Sequence, residues 1–257
     1  MINKCVILAG GRGTRFLEET NLIPKPMITI GNIPIIQRIM QHYSKYGINH
    51  FIICGGYKIN VIKDYFINFS NYHNDIRLDF KNNEIKNLSN VKNKKWIIDI
   101  IDTGDNSMTG GRLKRVHKYI EKNENFCFTY GDGISDVNIK KLIQFHLKFK
   151  KIATMTAVKP PGRYGAVDIK RNFVTNFKEK PSEDGSYING GFFVLSQKIF
   201  QYIKNDATIF EKSVLEKLTK QNQLTAYKHD GFWQAMDSLR DKVILEELYK
   251  LNKLPFS

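Results

Sequence analysis

Lys4-Cys5-Val6-Ile7-Leu8-Ala9-Gly10-Gly11-Arg12-Gly13-Thr14-Arg15 sets an apolar run directly against a glycine-rich, basic loop. The run from Lys4 to Ala9 reads as a first β-strand, and the loop behind it can wrap a triphosphate. Glycine lets backbone N–H groups approach phosphate oxygens without a Cβ in the way, and Arg15 can add a fixed cationic fork. An ordinary tight βα turn accounts for the same residues. Two familiar phosphate loops are excluded by spacing. A dinucleotide fingerprint beginning at Gly11 needs glycine where Phe16 stands, and a Walker A loop needs Gly-Lys-Ser/Thr.

Outward from this stretch, short apolar runs alternate with helical periodicity, the pattern of strands and crossover helices in a mainly parallel sheet. Pro34 opens a helix whose Ile35, Ile36, Ile39, Met40 and Tyr43 share one face, and Gly47 stops it. The reading continues with a strand at 50–54, a helix at 60–69, a strand at 96–101, a helix at 111–120 and a strand at 126–130. Beyond a helix at 139–149, strands are expected at 153–158, 166–169, 174–177 and 191–195, then helices at 210–220 and 238–251. Residues 81–95, KNNEIKNLSNVKNKK, read as an exposed connection. The fold class expected is α/β, a doubly wound, Rossmann-like, mainly parallel sheet. No Pro/Gly-rich linker divides it, so a single domain is expected over 1–257, with a first half to about 135 and a substrate-binding half from about 136.

Composition narrows the class. The chain has 257 residues, 42% of them hydrophobic, and no apolar run approaches the roughly 18 residues needed to cross a bilayer, so no membrane partner is expected. Met1-Ile2-Asn3-Lys4 leads straight into the first strand without a signal-peptide core, which predicts a cytoplasmic protein. Cys5, Cys54 and Cys127 lie in or beside apolar stretches, where reduced thiols pack as small hydrophobes. The formal charge of +15 suits a nucleic-acid binder, but the lysines are scattered along the chain among Asn and Ile, and no nucleic acid is expected. The same charge attracts triphosphates and sugar phosphates.

Three further segments carry chemistry. Pro24-Lys25-Pro26-Met27 has two prolines that hold Lys25 in a short extended piece. Tyr130-Gly131-Asp132-Gly133 puts a carboxylate at the C-terminal end of a strand, where ligands of open α/β sheets collect; an Asp between glycines is equally a turn residue. Gly231-Phe232-Trp233-Gln234-Ala235-Met236-Asp237 ends in a second Asp just before a helix, readable also as a helix cap. Magnesium is usually held by one or two carboxylates plus substrate phosphates, so Asp132 and Asp237 suffice for Mg²⁺ if the fold brings them together. Finally, Phe177-Lys178-Glu179-Lys180-Pro181 precedes Ile188-Asn189-Gly190-Gly191-Phe192-Phe193.

LAGGRGTRF followed by PKPM resembles the signature of the sugar-1-phosphate nucleotidylyltransferases. The resemblance implies a nucleotide-diphospho-sugar transferase fold in which Leu8, Ala9, Gly10, Gly11, Gly13, Thr14, Arg15 and Lys25 contact the nucleotide and its phosphates. It implies that Asp132 and Asp237 meet at the metal, and that Glu179, Lys180, Asn189 and Gly190 bind the sugar phosphate. Leu17-Glu18-Glu19-Thr20 lacks the proline usual in the thymidylyl branch. Residues 102–115, FTYGDGISDVNI, PPGRYGAVDI and GFWQAMDSLRDK together look like the branch that acts on CTP and glucose 1-phosphate, and the likeness runs nearly end to end. From that branch Ser107 and Arg112 inherit nucleotide contacts. The implied reaction is in-line attack of the sugar phosphate on the α-phosphorus of CTP, with Arg15, Lys25, Asp132, Lys180 and Asp237 as the catalytic set. UTP, dTTP or another sugar 1-phosphate is the alternative substrate, and a nucleotide-binding regulatory protein is the alternative outside enzymes. The branch also implies a homo-oligomer, hexameric in form, and a product used for the deoxyhexoses of surface polysaccharide such as O-antigen.

Overall fold

Lys4–Leu8 (β1) is buried along its whole length and has a parallel neighbour on each side, which explains the apolar run from Cys5 to Leu8. The computed structural model describes residues 2–14, 16, 20–21, 23–89, 95–160, 166–170, 173–178 and 187–255, with backbone alone over 166–170 and 173–178. His50–Gly55 (β2), Ile97–Asp102 (β3), Asn125–Tyr130 (β4), Ala153–Val158 (β5), Ile188–Ser196 (β6) and Leu224–His229 (β7) complete a seven-stranded sheet. Its order is β7-β5-β6-β4-β1-β2-β3. Only β6 runs against its neighbours, antiparallel to both β4 and β5. The doubly wound, mainly parallel α/β fold is therefore the one adopted.

Alternate residues of each central strand feed two cores. Cys5, Ile7, Phe51, Ile53, Cys127 and Val194 face one layer, which includes helix Ile35–Ser44 (α1). Val6, Leu8, Ile52, Cys54, Phe126, Phe128 and Leu195 face the other, with Leu113 of helix Thr109–Arg115 (α2) and Phe210 and Val214. All three cysteines are free and buried inside these layers. Burial raises the pKa of each thiol, so all three pack as neutral hydrophobes. Among the described residues no helix is long and apolar enough to cross a membrane.

Chain order reverses between β1 and β4. The chain steps from β1 out to β2 and β3, then returns to the far side of β1. Such a switch point opens a crevice beyond the carboxyl ends of the two strands. The ends in question are Gly10-Gly11 after β1 and Gly131-Asp132 after β4.

Several elements differ from the expected ones. Of the segment 81–95, the described residues 81–89 are not a plain connection. Ile76–Asp79 and Glu84–Asn87 form an exposed hairpin whose turn is closed by Asp79 Oδ1, which accepts from the Lys81 and Asn82 N–H groups. The expected helix at 111–120 stops at Arg115 and continues as a 3₁₀ turn at His117–Tyr119. The helix at 210–220 begins as a π-helical turn, Phe210–Leu215, before Glu216–Lys220 becomes α-helical. Strand β7 was not expected, because LTAYKH is a half-exposed edge strand with no apolar run to announce it.

Candidate active site

Three-residue strands bring the two candidate metal ligands together. Gly133–Ser135 pairs antiparallel with Trp233–Ala235, placing Gly133 opposite Ala235. The Met236 N–H donates to the Asp132 carbonyl at 2.9 Å, extending the ribbon to the point where both carboxylates emerge. The helix-cap reading of Asp237 fails for a local reason. Ser238 caps helix Leu239–Lys250 (α3), its Oγ accepting from the Asp241 N–H at 3.3 Å. Asp241 in turn accepts from Ser238 Oγ and from the Asp237 N–H. Those caps leave the Asp237 side chain turned toward the cavity.

Lys25 lies between the pair. Its Nζ donates to Asp132 Oδ2 and to Asp237 Oδ1, each at 2.7 Å. Pro24-Lys25-Pro26-Met27 is a 3₁₀ turn rather than the extended piece expected, because proline near the start of a helix is already set for it; the Met27 N–H donates to the Pro24 carbonyl. Gly131 makes room for this turn, since a Cβ there would lie 2.7 Å from the Leu8 carbonyl and 3.1 Å from Pro26 Cγ. Burial pulls the Lys25 pKa down, and the Asp132 and then the Asp237 carboxylates overcome that, leaving it above the ordinary lysine value. Lys25 is a cation throughout the physiological range.

Two carboxylate oxygens that touch one ammonium nitrogen can equally be bridged by one metal cation. No group of three or more His, Cys, Asp or Glu side chains assembles among the described residues. Two hard oxygen donors suit a small divalent cation whose remaining positions go to water and substrate phosphate.

Around this centre lies a cavity of about 690 Å³. Leu8, Ala9, Gly10, Gly11, Gly13, Thr14, Ser107 and Arg112 line it on one side, and Asn189 and Gly190 on the other. Of the residues singled out from sequence, these ten join Lys25, Asp132 and Asp237 in one place. Arg15, Glu179 and Lys180 lie outside the described residues, as does the Leu17-Glu18-Glu19 departure.

Arg112 has a different first duty from the one expected. Only 4% exposed, its guanidinium donates to the Gly55, Gly104 and Asp105 carbonyls and to Thr103 Oγ1, tying the ends of β2 and β3 beneath the glycine loop. A Cβ on Gly10 would meet Arg112 Nη1 at 2.1 Å, whereas one on Gly11 would meet nothing within 4 Å. Gly10 is therefore a packing glycine, and Gly11 the open one.

Sequence reasoning missed Thr109, Tyr130, Glu211 and Trp233, which also line the cavity. Trp233 Nε1 donates to the Gly190 carbonyl at 2.7 Å, fixing the wall on the Asn189 side. Glu211 stands in a lysine-rich helical stretch with no motif around it. Tyr130 and Trp233 sat inside segments noted only for their aspartates.

Comparison with known proteins gives the family. The family model described as Nucleotidyl transferase matches residues 4–241. The chain is 51% identical to a glucose-1-phosphate cytidylyltransferase of Salmonella typhimurium, with 98% of each chain covered. It is 40% identical to a probable glucose-1-phosphate cytidylyltransferase of Bacillus subtilis over 96% of each. Among solved structures, HddC from Yersinia pseudotuberculosis complexed with GMP-PN superposes with a TM-score of 0.71 at 27% identity, covering 96% of this chain and all of that one. A UDP-glucose pyrophosphorylase shares the fold, with a TM-score of 0.70 at 22% identity. The family model and a 51% identical relative each span nearly the whole chain, which belongs to the nucleotidyl transferase family.

Proposed function

We propose that the chain transfers the cytidylyl group of CTP to glucose 1-phosphate, giving CDP-glucose and pyrophosphate. The geometric observation that carries a nucleotidyl transfer is the convergence of Asp132 and Asp237 on Lys25 Nζ at 2.7 Å each, beside the glycine loop. The choice of CTP and glucose 1-phosphate rests on the 51% identity to the Salmonella typhimurium enzyme.

The chemistry needs no protein nucleophile. A sugar phosphate is already anionic near neutral pH, so its oxygen can attack the α-phosphorus directly while the bond to the departing pyrophosphate breaks. The protein's work is then to align the two phosphates and to offset their charge. Backbone N–H groups of the Gly10 to Thr14 loop orient the triphosphate. Lys25 places a partly buried cation at the reacting phosphates, and Arg15 and Lys180 add two more by virtue of their motifs. Asn189, Gly190 and Glu179 read the sugar. Asp132 and Asp237 would hold Mg²⁺, which supplies a compact positive charge to the phosphates when bound.

The kinship further supports a cytoplasmic homo-oligomer, hexameric as in the cytidylyltransferase branch, that feeds deoxyhexose synthesis for surface polysaccharide. A single domain over 1–257 is supported by a sheet that takes strands from both halves. Asp132→Asn and Asp237→Asn test the centre. Each should fold and lose roughly 100-fold to 1,000-fold in pyrophosphate release, the scale of losing one preorganised charge stabiliser. Wild-type turnover in either folded variant would sink the metal assignment.

A further inference from the structure

Glu211 belongs to none of the motifs, yet it stands in the cavity wall with both oxygens engaged. Oε2 accepts from Thr109 Oγ1 at 2.7 Å, and Oε1 accepts from the Tyr130 hydroxyl. Thr109 Oγ1 itself accepts from the Phe210 N–H at 2.9 Å, so its one proton is directed to Glu211. On the other side, Asn189 Nδ2 donates to the Tyr130 hydroxyl at 3.3 Å, and Asn189 Oδ1 accepts from the Gly191 N–H at 2.9 Å.

The direction of every proton in this chain follows from the carboxylate. An ionised carboxylate only accepts, so Tyr130 must donate to it, and the phenol oxygen is left with lone pairs for the Asn189 NH₂. Together with the Gly191 N–H, which donates to Oδ1, this holds the amide one way round, with one N–H and one oxygen lone pair left free. The backbone cooperates. Pairing of β5 with β6 shifts register between Met155 and Ala157, and Gly191 sits at φ +80°. A Cβ there would lie 2.8 Å from the Tyr130 ring, so a glycine in a left-handed conformation is what lets the ring stand beside Asn189.

We propose that Glu211 is a positioning residue which, through the Tyr130 hydroxyl, sets the orientation in which the Asn189 amide meets the hydroxyls of the sugar 1-phosphate. This rests on the reading of Asn189 as a sugar contact. Glu211 touches no reacting atom; it acts through two side chains and at the same time anchors Thr109, the first residue of α2, on the nucleotide side. Glutamine at 211 would not preserve the relay, because its NH₂ can face the Tyr130 hydroxyl and remove the obligation to donate. Phenylalanine at 130 deletes the relay oxygen and leaves the ring packing intact.

The test measures KM for glucose 1-phosphate and for CTP with saturating Mg²⁺, in Glu211→Gln, Tyr130→Phe, the double variant and Asn189→Ala. Each single relay variant should raise the sugar-phosphate KM about tenfold, the scale of one hydrogen bond, and leave the CTP KM within about twofold. The double variant should be no worse than the worse single one, since both cut the same chain. A sugar-phosphate KM unchanged in Tyr130→Phe, or multiplicative losses in the double variant, would overturn the relay. So would a CTP KM that rises in step. If Asn189→Ala leaves the sugar-phosphate KM unchanged, the reading of Asn189 falls and the relay with it. If Asn189→Ala raises that KM while the relay variants do not, the relay alone falls. Should Glu211→Gln not fold, Tyr130→Phe decides by itself.

Discussion

Gly10→Ala and Gly11→Ala separate two reasons for having glycine in one loop. At Gly10 the added Cβ would lie 2.1 Å from Arg112 Nη1, 2.6 Å from Arg112 Cζ and 2.9 Å from the Gly55 carbonyl carbon. The guanidinium cannot swing away cheaply, because four hydrogen bonds to Gly55, Thr103, Gly104 and Asp105 hold it. Overpacking costs about 1–3 kcal/mol, and a hydrogen bond from a charged donor is worth about 1.5–3 kcal/mol, so losing one brings the total to about 2.5–6 kcal/mol. For a chain of this length, about 2–4 °C of melting temperature goes with each kcal/mol, which predicts a fall on the order of 10 °C. Gly11 has open space around its Cβ position, so Gly11→Ala should stay within about 0.5 kcal/mol of wild type. Its defect should appear instead as a raised KM for CTP, because the methyl group narrows the approach of phosphate to the backbone. Thermal melts beside steady-state kinetics read both effects. A Gly10→Ala protein that melts within 2 °C of wild type would refute the packing argument, and a Gly11→Ala protein with unaltered CTP kinetics would refute the cradle.

Lys25→Met should lower pyrophosphate release at least about 100-fold and leave Asp132 and Asp237 without their shared cation; added Mg²⁺ should then raise the melting temperature more than it does in wild type, as melts with and without chelator would show. Ser238→Ala removes the N-cap of α3 and should cost about 1 kcal/mol, or about 2–4 °C, in the same melts. His42 and His146, both 2% exposed, have pKa values lowered to about 4, chiefly by burial. The unfolded chain therefore binds more protons between pH 6.5 and 4, so the stability these neutral imidazoles contribute is present above pH 6.5 and lost as pH falls toward 4. Each should account for about 2 kcal/mol of lost stability between pH 7 and 5. Urea titrations at the two pH values check this, and His146→Gln should flatten the loss.

The sequence was most readable where local pattern and global role coincide. Cys5 to Leu8 is apolar throughout because β1 is covered on both faces and paired on both edges, and the loop after it falls at the reversal of strand order. Contacts between distant segments left no such trace. Asp132 and Asp237 meet through two three-residue strands too short to show a period, and resemblance alone pointed to their convergence. Glu211 reaches the cavity from a π-helical turn inside a stretch that reads as an ordinary amphipathic helix. Gly10 shows a reason the motif does not carry: its lack of a Cβ makes room for the buried Arg112. Lys25 does reach the cavity, but its turn was misjudged, because proline favours both an extended residue before it and the start of a helix.

The most direct test of the account is pyrophosphate release by the purified protein with Mg²⁺, with CTP, UTP, dTTP, ATP and GTP each offered against glucose 1-phosphate. Turnover with CTP, at a rate well above that of every other nucleotide and abolished in Asp132→Asn, is the predicted result. Preference for another nucleotide would contradict the cytidylyl assignment while leaving nucleotidyl transfer standing, and release from none of the five would contradict the proposed reaction itself.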